Sequence, residues 1–198
     1  ECDVVVHNAA SIELGHGYDQ LVDVNVGGTK EACRIAATGV ISKLVHVSSL
    51  SVFSLHTYEG SGRTVRPDPL KLKNGYARSK WVAEACAWLA ADHGVPVQVV
   101  RPGRIMGHSK TGAANVNDWF ANYLTACTQL GQFWDLDHET DMTAVDDVAA
   151  LVVDSVLKKP GHHGTEGGGP RRAYHAVSTE VLPARTIGAA LAARGWHL

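Results

Sequence analysis

Long apolar runs are missing from this sequence. None approaches the ~18 residues that a membrane-crossing helix needs. Cysteine is scarce: Cys2, Cys33, Cys86 and Cys127 are the 4 present, they lie far apart, and no C-x-x-C occurs. That excludes the zinc and dithiol motifs built on such spacing, and reduced, mostly buried thiols are the expectation. Net charge is small, formally −2, so the composition carries no electrostatic footprint for nucleic acid or an anionic membrane. Glu1-Cys2-Asp3-Val4 has none of the basic, apolar and small-residue regions of a signal peptide, and a cytoplasmic location is expected. There is no internal repeat. What remains is a chain of 198 residues, long enough to bury a real core.

Strands and helices alternate along it. Asp3 to His7 is a β-branched run of the kind expected for a strand buried on both faces. Tyr18 to Ala37 reads as a helix with Gly27-Gly28 as a weak point. Lys43 to Val47 is a second strand, ended by Ser48-Ser49. Ser54 to Lys73 reads as a polar loop. A long helix is expected from Gly75 to His93, closed by Gly94. Val97 to Val100 is a third strand, stopped by Arg101-Pro102-Gly103. Asn117 or Asp118 caps a helix reaching Leu130, and Asp146 or Asp147 caps one through Leu157. Lys159 to Arg172 reads as a loop, Ala173 to Val177 as a late strand, and Ala184 to Ala193 as a last helix. This order predicts an α/β fold with a doubly wound parallel sheet.

Such sheets bind ligands beyond the carboxyl ends of their strands. There the sequence gathers small and hydroxylated residues: His7-Asn8-Ala9-Ala10, Ser48-Ser49-Leu50-Ser51 and Pro102-Gly103-Arg104. Taken singly these are ordinary turn residues; taken jointly they outline a rim. Into that rim the segment "NGYARSKWVAEACAW" can project two side chains, because Tyr76 and Lys80 are spaced i, i+4 on one helix face. A phenol titrates near 10, and bringing it to about 7 requires ~4 kcal/mol of preference for phenolate. An ammonium ~4 Å away supplies about 1 kcal/mol in water and about 4 at an effective dielectric near 20. The lysine therefore serves the tyrosine only in a partly closed site. A serine at the neighbouring strand end can hold a carbonyl oxygen while the tyrosine protonates it, and Ser49 is the best placed. Y-x-x-x-K alone is a weak signal, equally at home on a solvated helix face.

In chain order, "CDVVVHNAA", "VNVGGTKEACRIA", "KLVHVSSLSVF", "GYARSKWVAEA", "VQVVRPGRIMGHSKTGAANVNDW" and "VDDVAALV" resemble the extended short-chain dehydrogenase/reductases. The likeness is nearest to thioester reductase domains, the terminal reductases of nonribosomal peptide synthetases and carboxylic acid reductases. It runs from Cys2 to about Leu198. It implies Ser49 orienting the substrate carbonyl and Tyr76 donating the proton. It implies Lys80 lowering the tyrosine pKa and bonding the nicotinamide ribose. Asn8, Ala9 and Ala10 would line the cofactor's ribose and phosphate side, Asn25 would steady the site, and Pro102, Gly103 and Ile105 would flank the nicotinamide. The cofactor implied is NADP(H), and the partner is an acyl thioester on a phosphopantetheinyl carrier domain, reduced to an aldehyde or alcohol.

One feature of the family is missing. Its opening strand and G-x-x-G-x-x-G loop match nothing here, since Gln20 stands where the third glycine after Gly15 and Gly17 would be. The expectation is a partial Rossmann fold lacking its first βα units. Residues 1–112 would form it, with 143–157 returning to it, and 113–142 and 158–198 would form a small substrate lobe. Such a fragment is expected to be inactive and to bind NADPH poorly until the N-terminal half of the same domain is supplied. Two other readings stay open: a non-catalytic truncated remnant, and a different extended reductase or epimerase acting on a small carbonyl or a nucleotide sugar. His162-His163 and the acidic run Asp135, Asp137, Glu139 and Asp141 read as solvated loops rather than metal sites.

Overall fold

Every residue of Lys43–Val47 and of Val97–Pro102 is buried, the pattern of strands covered on both faces. They form the centre of a parallel sheet. The computed structural model describes residues 2–39, 41, 43–53, 69–133, 139–157 and 171–197. In chain order the elements are β1 (Val4–His7), α1 (Tyr18–Val22), α2 (Gly28–Ala36), β2 (Lys43–Val47), α3 (Gly75–Asp92), β3 (Val97–Pro102), β4 (Ile105–Met106), α4 (Trp119–Leu130), β5 (Glu139–Asp141), β6 (Thr143–Ala144), α5 (Val145–Leu157), β7 (Arg171–Ala176), β8 (Val181–Pro183) and α6 (Ala184–Ala192).

Contacts divide the chain into two units, Glu1–Gly103 with Ala149–Ala176, and Arg104–Val148 with Val177–Leu198. The first holds the sheet, in the order β1-β2-β3-β7, with every pair parallel. All four carboxyl ends therefore lie along one rim. On one face, alanines of α2 and α3 (Ala32, Ala36, Ala87, Ala91) close on Leu44, Val97 and Val99; their small side chains let helix and sheet approach closely. On the other face the buried Lys43 ammonium donates to the carbonyls of Ser155 and Val156 at 2.8 and 2.9 Å, tying β2 to the last turn of α5. A cation at a helix C-terminus meets its orphan carbonyls and the negative end of its dipole. Helices on both faces make this the doubly wound α/β arrangement read from the alternation.

In the second unit β4 pairs parallel with β6, and β5 antiparallel with β8. Asp118 caps α4 by accepting from the Phe120 amide at 2.8 Å, and α4 ends at Gly131 with φ 64°, a left-handed cap that favours glycine. The Arg104 guanidinium stacks over the rings of Trp119 and Phe120 at 4.5 and 4.8 Å.

Several expectations change. β1 is not buried on both faces: Val6 is 45% exposed, and among the described residues only β2 pairs with it. β3 runs through Arg101-Pro102 instead of stopping at Val100, because β7 continues the pairing to Pro102↔Ala176. That also takes Arg171–Ala176 into the main sheet, although 158–198 was expected in the lobe, and residues 104–112 group with the second unit. α5 starts at Val145, which leaves Asp146 and Asp147 in its first turn. The loops expected at Ser54 to Lys73 and Lys159 to Arg172 lie largely outside the described residues. So do Asp135, Asp137, His162 and His163.

Candidate functional site

The stretch expected to be one helix over Tyr18 to Ala37 is divided by a π-helical turn, Asp23–Gly27. Such a turn carries one extra residue and often marks a functional position. It turns Asn25 inward to 1% exposure. The Asn25 side chain accepts from the Ser11 amide at 2.7 Å, donates to the Ser11 carbonyl at 3.0 Å, and donates to the Ser79 hydroxyl at 2.9 Å. Both faces of its amide are thus used, and the loop after β1 is clamped to α3. That loop is Asn8, Ala9 and Ala10, its first two residues exposed.

α3 begins where the Asn74 side chain accepts from the Ala77 amide at 2.7 Å. A Cβ on Gly75 would overlap the backbone of His16, Gly17 and Tyr18; only glycine lets this first turn reach the loop before α1. Tyr76 follows, partly buried, and the Ser49 hydroxyl is near enough to influence its phenol. The neighbouring serine points elsewhere: Ser48 donates to the Glu84 carboxylate at 2.6 Å. Alternation along an extended chain separates the two. Ser51 donates to the Ser49 oxygen at 2.9 Å, and the Ser51 amide adds a second bond to it at 3.1 Å, so that oxygen is fixed from two sides.

Lys80 is 3% exposed and donates to the Val47 carbonyl, at the end of β2, at 2.8 Å. Burial pulls its ammonium down to about 8, with Glu84 working against the fall. Burial pushes Tyr76 above the ordinary phenol value, and the opposing influence is the Ser49 hydroxyl. Lys80, to which the resemblance assigns a lowering of Tyr76, is not among the influences on the phenol here. Two histidines face Lys80 from the sheet. His7 and His46, partners in the β1–β2 register, stack with ring centroids 5.4 Å apart. Both are held below the usual imidazole range, by burial first and by the Lys80 charge second.

Glu84 is the residue the sequence reading missed. It is 3% exposed. It accepts from Ser48, from Trp88 Nε1 at 2.9 Å and from Arg101 through both Nε, at 3.0 Å, and Nη2. Arg101 also contacts His175 Nε2 at 3.2 Å, and its guanidinium lies 4.9 Å from the Phe53 ring centroid. The signal was present: Tyr76, Lys80, Glu84 and Trp88 are four apart, on the stripe that Ala77, Ala83, Ala87 and Ala91 bury.

Among the sequence-chosen residues, the structure brings Ser49, Tyr76 and Lys80 together, with Asn25 two bonds away through Ser79. Asn8, Ala9 and Ala10 follow β1 on the same rim. Pro102 ends β3 and Gly103 donates to Ala176 at 3.1 Å. Ile105 begins the second unit in β4, 42% exposed. No three His, Cys, Asp or Glu residues among those described could share a metal ion, and no described helix is long and apolar enough to cross a membrane.

A nicotinamide–ribose group fits this rim in kind: a buried ammonium, a phenol and a serine hydroxyl near it stand at the strand ends beside a loop whose small side chains are alanines. The described residues offer no strand–glycine loop–helix for a pyrophosphate.

Comparison with known proteins agrees with this reading. Residues 1–152 match the NAD-binding family described as male sterility protein. The chain is 33% identical over 174 residues to the L-2-aminoadipate reductase large subunit of Eremothecium gossypii, covering 81% of this chain and 13% of that protein. It is 36% identical over 156 residues to the glycine betaine reductase of Emericella nidulans, covering 76% and 12%. The terminal R domain of the myxalamid PKS-NRPS pathway superposes with a TM-score of 0.81 at 33% identity, over 96% of this chain and 47% of that one. A thiolation-reductase di-domain from an archaeal non-ribosomal peptide synthetase gives 0.77 at 26%, over 98% and 53%. The chain therefore spans about half of the solved reductases and a small part of the curated relatives. Fold, rim and likeness converge: the chain belongs to this NAD-binding family, as an extended short-chain dehydrogenase/reductase of the thioester reductase type.

Proposed function

We propose that the chain carries the catalytic residues of an NADPH-dependent reductase that converts a carrier-bound acyl thioester to an aldehyde or alcohol. The observation that carries this is the convergence at one strand end of Ser49, its oxygen held by Ser51, and Lys80, buried on the Val47 carbonyl, with Tyr76 one helical turn before that lysine. The nicotinamide, when bound, supplies hydride to the thioester carbon. Ser49 and Tyr76 hold the carbonyl oxygen between two hydroxyls. As negative charge develops there, Tyr76 gives its proton to that oxygen; its raised pKa keeps the phenol protonated and ready at neutral pH. Lys80, one helical turn on, places a positive charge where the phenolate forms. Scission of the C–S bond then releases the aldehyde and the carrier thiol. Asn8, Ala9, Ala10, Asn25, Pro102, Gly103 and Ile105 are the proposed cofactor contacts. The carrier partner is supported by relatives that are terminal or thiolation-linked reductases.

The test is consumption of NADPH by the full-length protein given an acyl thioester. Tyr76→Phe keeps the ring and removes the proton, so turnover should fall by orders of magnitude while substrate binding changes little. Ser49→Ala should cost about 2–4 kcal/mol in transition-state stabilisation, the size of one lost oxyanion donor, and Ser49→Thr should retain activity. Unchanged turnover in the Phe variant would overturn the proposal.

A further inference from the structure

Lys80 lies between two groups of opposite effect. His7 from β1 and His46 from β2 are neutral imidazoles stacked at 5.4 Å, and their burial makes an added charge costly. On its own helix, one turn toward the C-terminus, stands Glu84. Glu84 is the junction of a buried network: β2 reaches it through Ser48, β3 through Arg101, and α3 closes it through Trp88. β7 enters through His175 on Arg101. Each of the two strand ends that reach it directly belongs to the rim. Ser48 immediately precedes Ser49, so the bond that fixes Ser48 inward also sets its neighbour outward toward Tyr76. Arg101 immediately precedes Pro102-Gly103.

A buried carboxylate with four bonds is costly to assemble, because both it and Arg101 lose their water. A hydrophobic pair of similar volume would stabilise the fold as well or better. What an apolar pair cannot supply is a negative charge beside Lys80. Among the groups facing that lysine (Tyr76 and Glu84 on α3, His7, His46, and beyond Glu84 the Arg101–His175 pair), Glu84 is the anion. It opposes the desolvation that draws Lys80 to about 8.

Resting on the Ser49–Tyr76–Lys80 reading, we propose that Glu84 is a positioning residue of the reductase: it keeps Lys80 an ammonium ion at working pH and, through Ser48, aims Ser49 at Tyr76. It touches neither substrate nor cofactor and acts through these two neighbours.

The test compares kcat/KM against pH for the full-length protein and Glu84→Gln. Activity that needs an ammonium is lost as pH rises through the lysine's pKa. Without the carboxylate that loss should move down by about one pH unit, so that kcat/KM falls roughly fivefold more at pH 8 than at pH 6. A uniform loss across pH would mean a structural role only, and would overturn the proposal. Glu84→Gln leaves Arg101 unpaired and can unfold the chain. The double variant Glu84→Gln/Arg101→Met removes both charges and should show the same shift, because Arg101 is not among the groups acting on Lys80. A readout independent of turnover is the Lys80 side-chain titration followed by NMR with labelled lysine. A midpoint lower than in the parent protein supports the proposal, and an unmoved midpoint overturns it. Should Tyr76→Phe retain full turnover, the catalytic reading fails, while the NMR midpoint still decides whether Glu84 governs Lys80.

Discussion

Two buried polar clusters flank Lys80, and they are built in opposite ways. Around Glu84 every strong group is paired: four donors converge on one carboxylate. Around His46 the reverse holds. The ring is fully buried, and neither nitrogen has a hydrogen-bond partner among the described residues. A saturated network in a low-dielectric interior specifies one geometry, since any rearrangement breaks several bonds at once. An unpartnered ring specifies little and costs stability. The first cluster thus sets where Ser48, Ser49 and Arg101 sit. The second holds His46 neutral beside a cation and leaves the fold sensitive to acid.

The largest effect that separates the clusters should come from breaking the paired one. Arg101→Met strands the Glu84 carboxylate in the interior and should cost about 3–5 kcal/mol of unfolding free energy, read from urea midpoints. Glu84→Leu/Arg101→Met should recover most of that loss, which would show that the ion pair serves geometry and charge more than stability.

Lys80→Met comes next and has the opposite sign. A lysine at about 8 in the fold against 10.5 ordinarily penalises the folded state by about 3 kcal/mol at neutral pH. Loss of the Val47 bond returns about 1–2 of that. The variant should therefore melt at or above the parent temperature at pH 7 while losing turnover. The sign with pH is fixed: the unfolded chain holds the proton more tightly, so the parent gains stability as pH rises from 8 to 10.5. The advantage of the variant should shrink across that window. An advantage that grew there would contradict the burial of a charged lysine.

His46→Leu should give the smallest change, a gain of about 1–3 kcal/mol from removing unsatisfied polar atoms. The folded imidazole is held well below 6.5, so the parent loses stability as pH falls through 6.5, when only the unfolded chain takes up the proton. The variant should show a flatter acid limb, with the residual slope coming in part from His7. Equal slopes would mean that His46 is paired in solution.

Much of the frame was legible because it rests on local periodicity. The β-branched runs became β1, β2 and β3, the Asn-Gly before Tyr76 became a capped helix start, and Asp118 became the cap of α4. The i, i+4 spacing placed Tyr76 and Lys80 on one face whatever the tertiary context. Strand alternation likewise separated Ser48 from Ser49. The π-turn at Asp23–Gly27 was not legible. Gly27-Gly28 marks a weak point in a helix, but the turn is fixed by bonds from Asn25 to Ser11 and Ser79, partners far away in sequence. Glu84 was legible only in its position on the buried stripe of α3; its partners were hidden for a similar reason. A glutamate on a helix is ordinarily solvated, and only the meeting of Ser48, Trp88 and Arg101 makes it an interior ion.

The sequence by itself determined the alternation of strands and helices, hence a parallel α/β sheet with its candidate site residues at one rim, because periods of 2 and 3.6 dictate which residues share a face. It also determined the Ser, Tyr and Lys that meet there. Tertiary structure alone decided the proton affinities. Desolvation raises Tyr76, lowers Lys80 and silences His46, and desolvation depends on what every other segment places around a group. It also decided that the late strand β7 belongs to the main sheet: β7 enters by pairing its backbone with β3, and backbone amides and carbonyls are the same in every sequence.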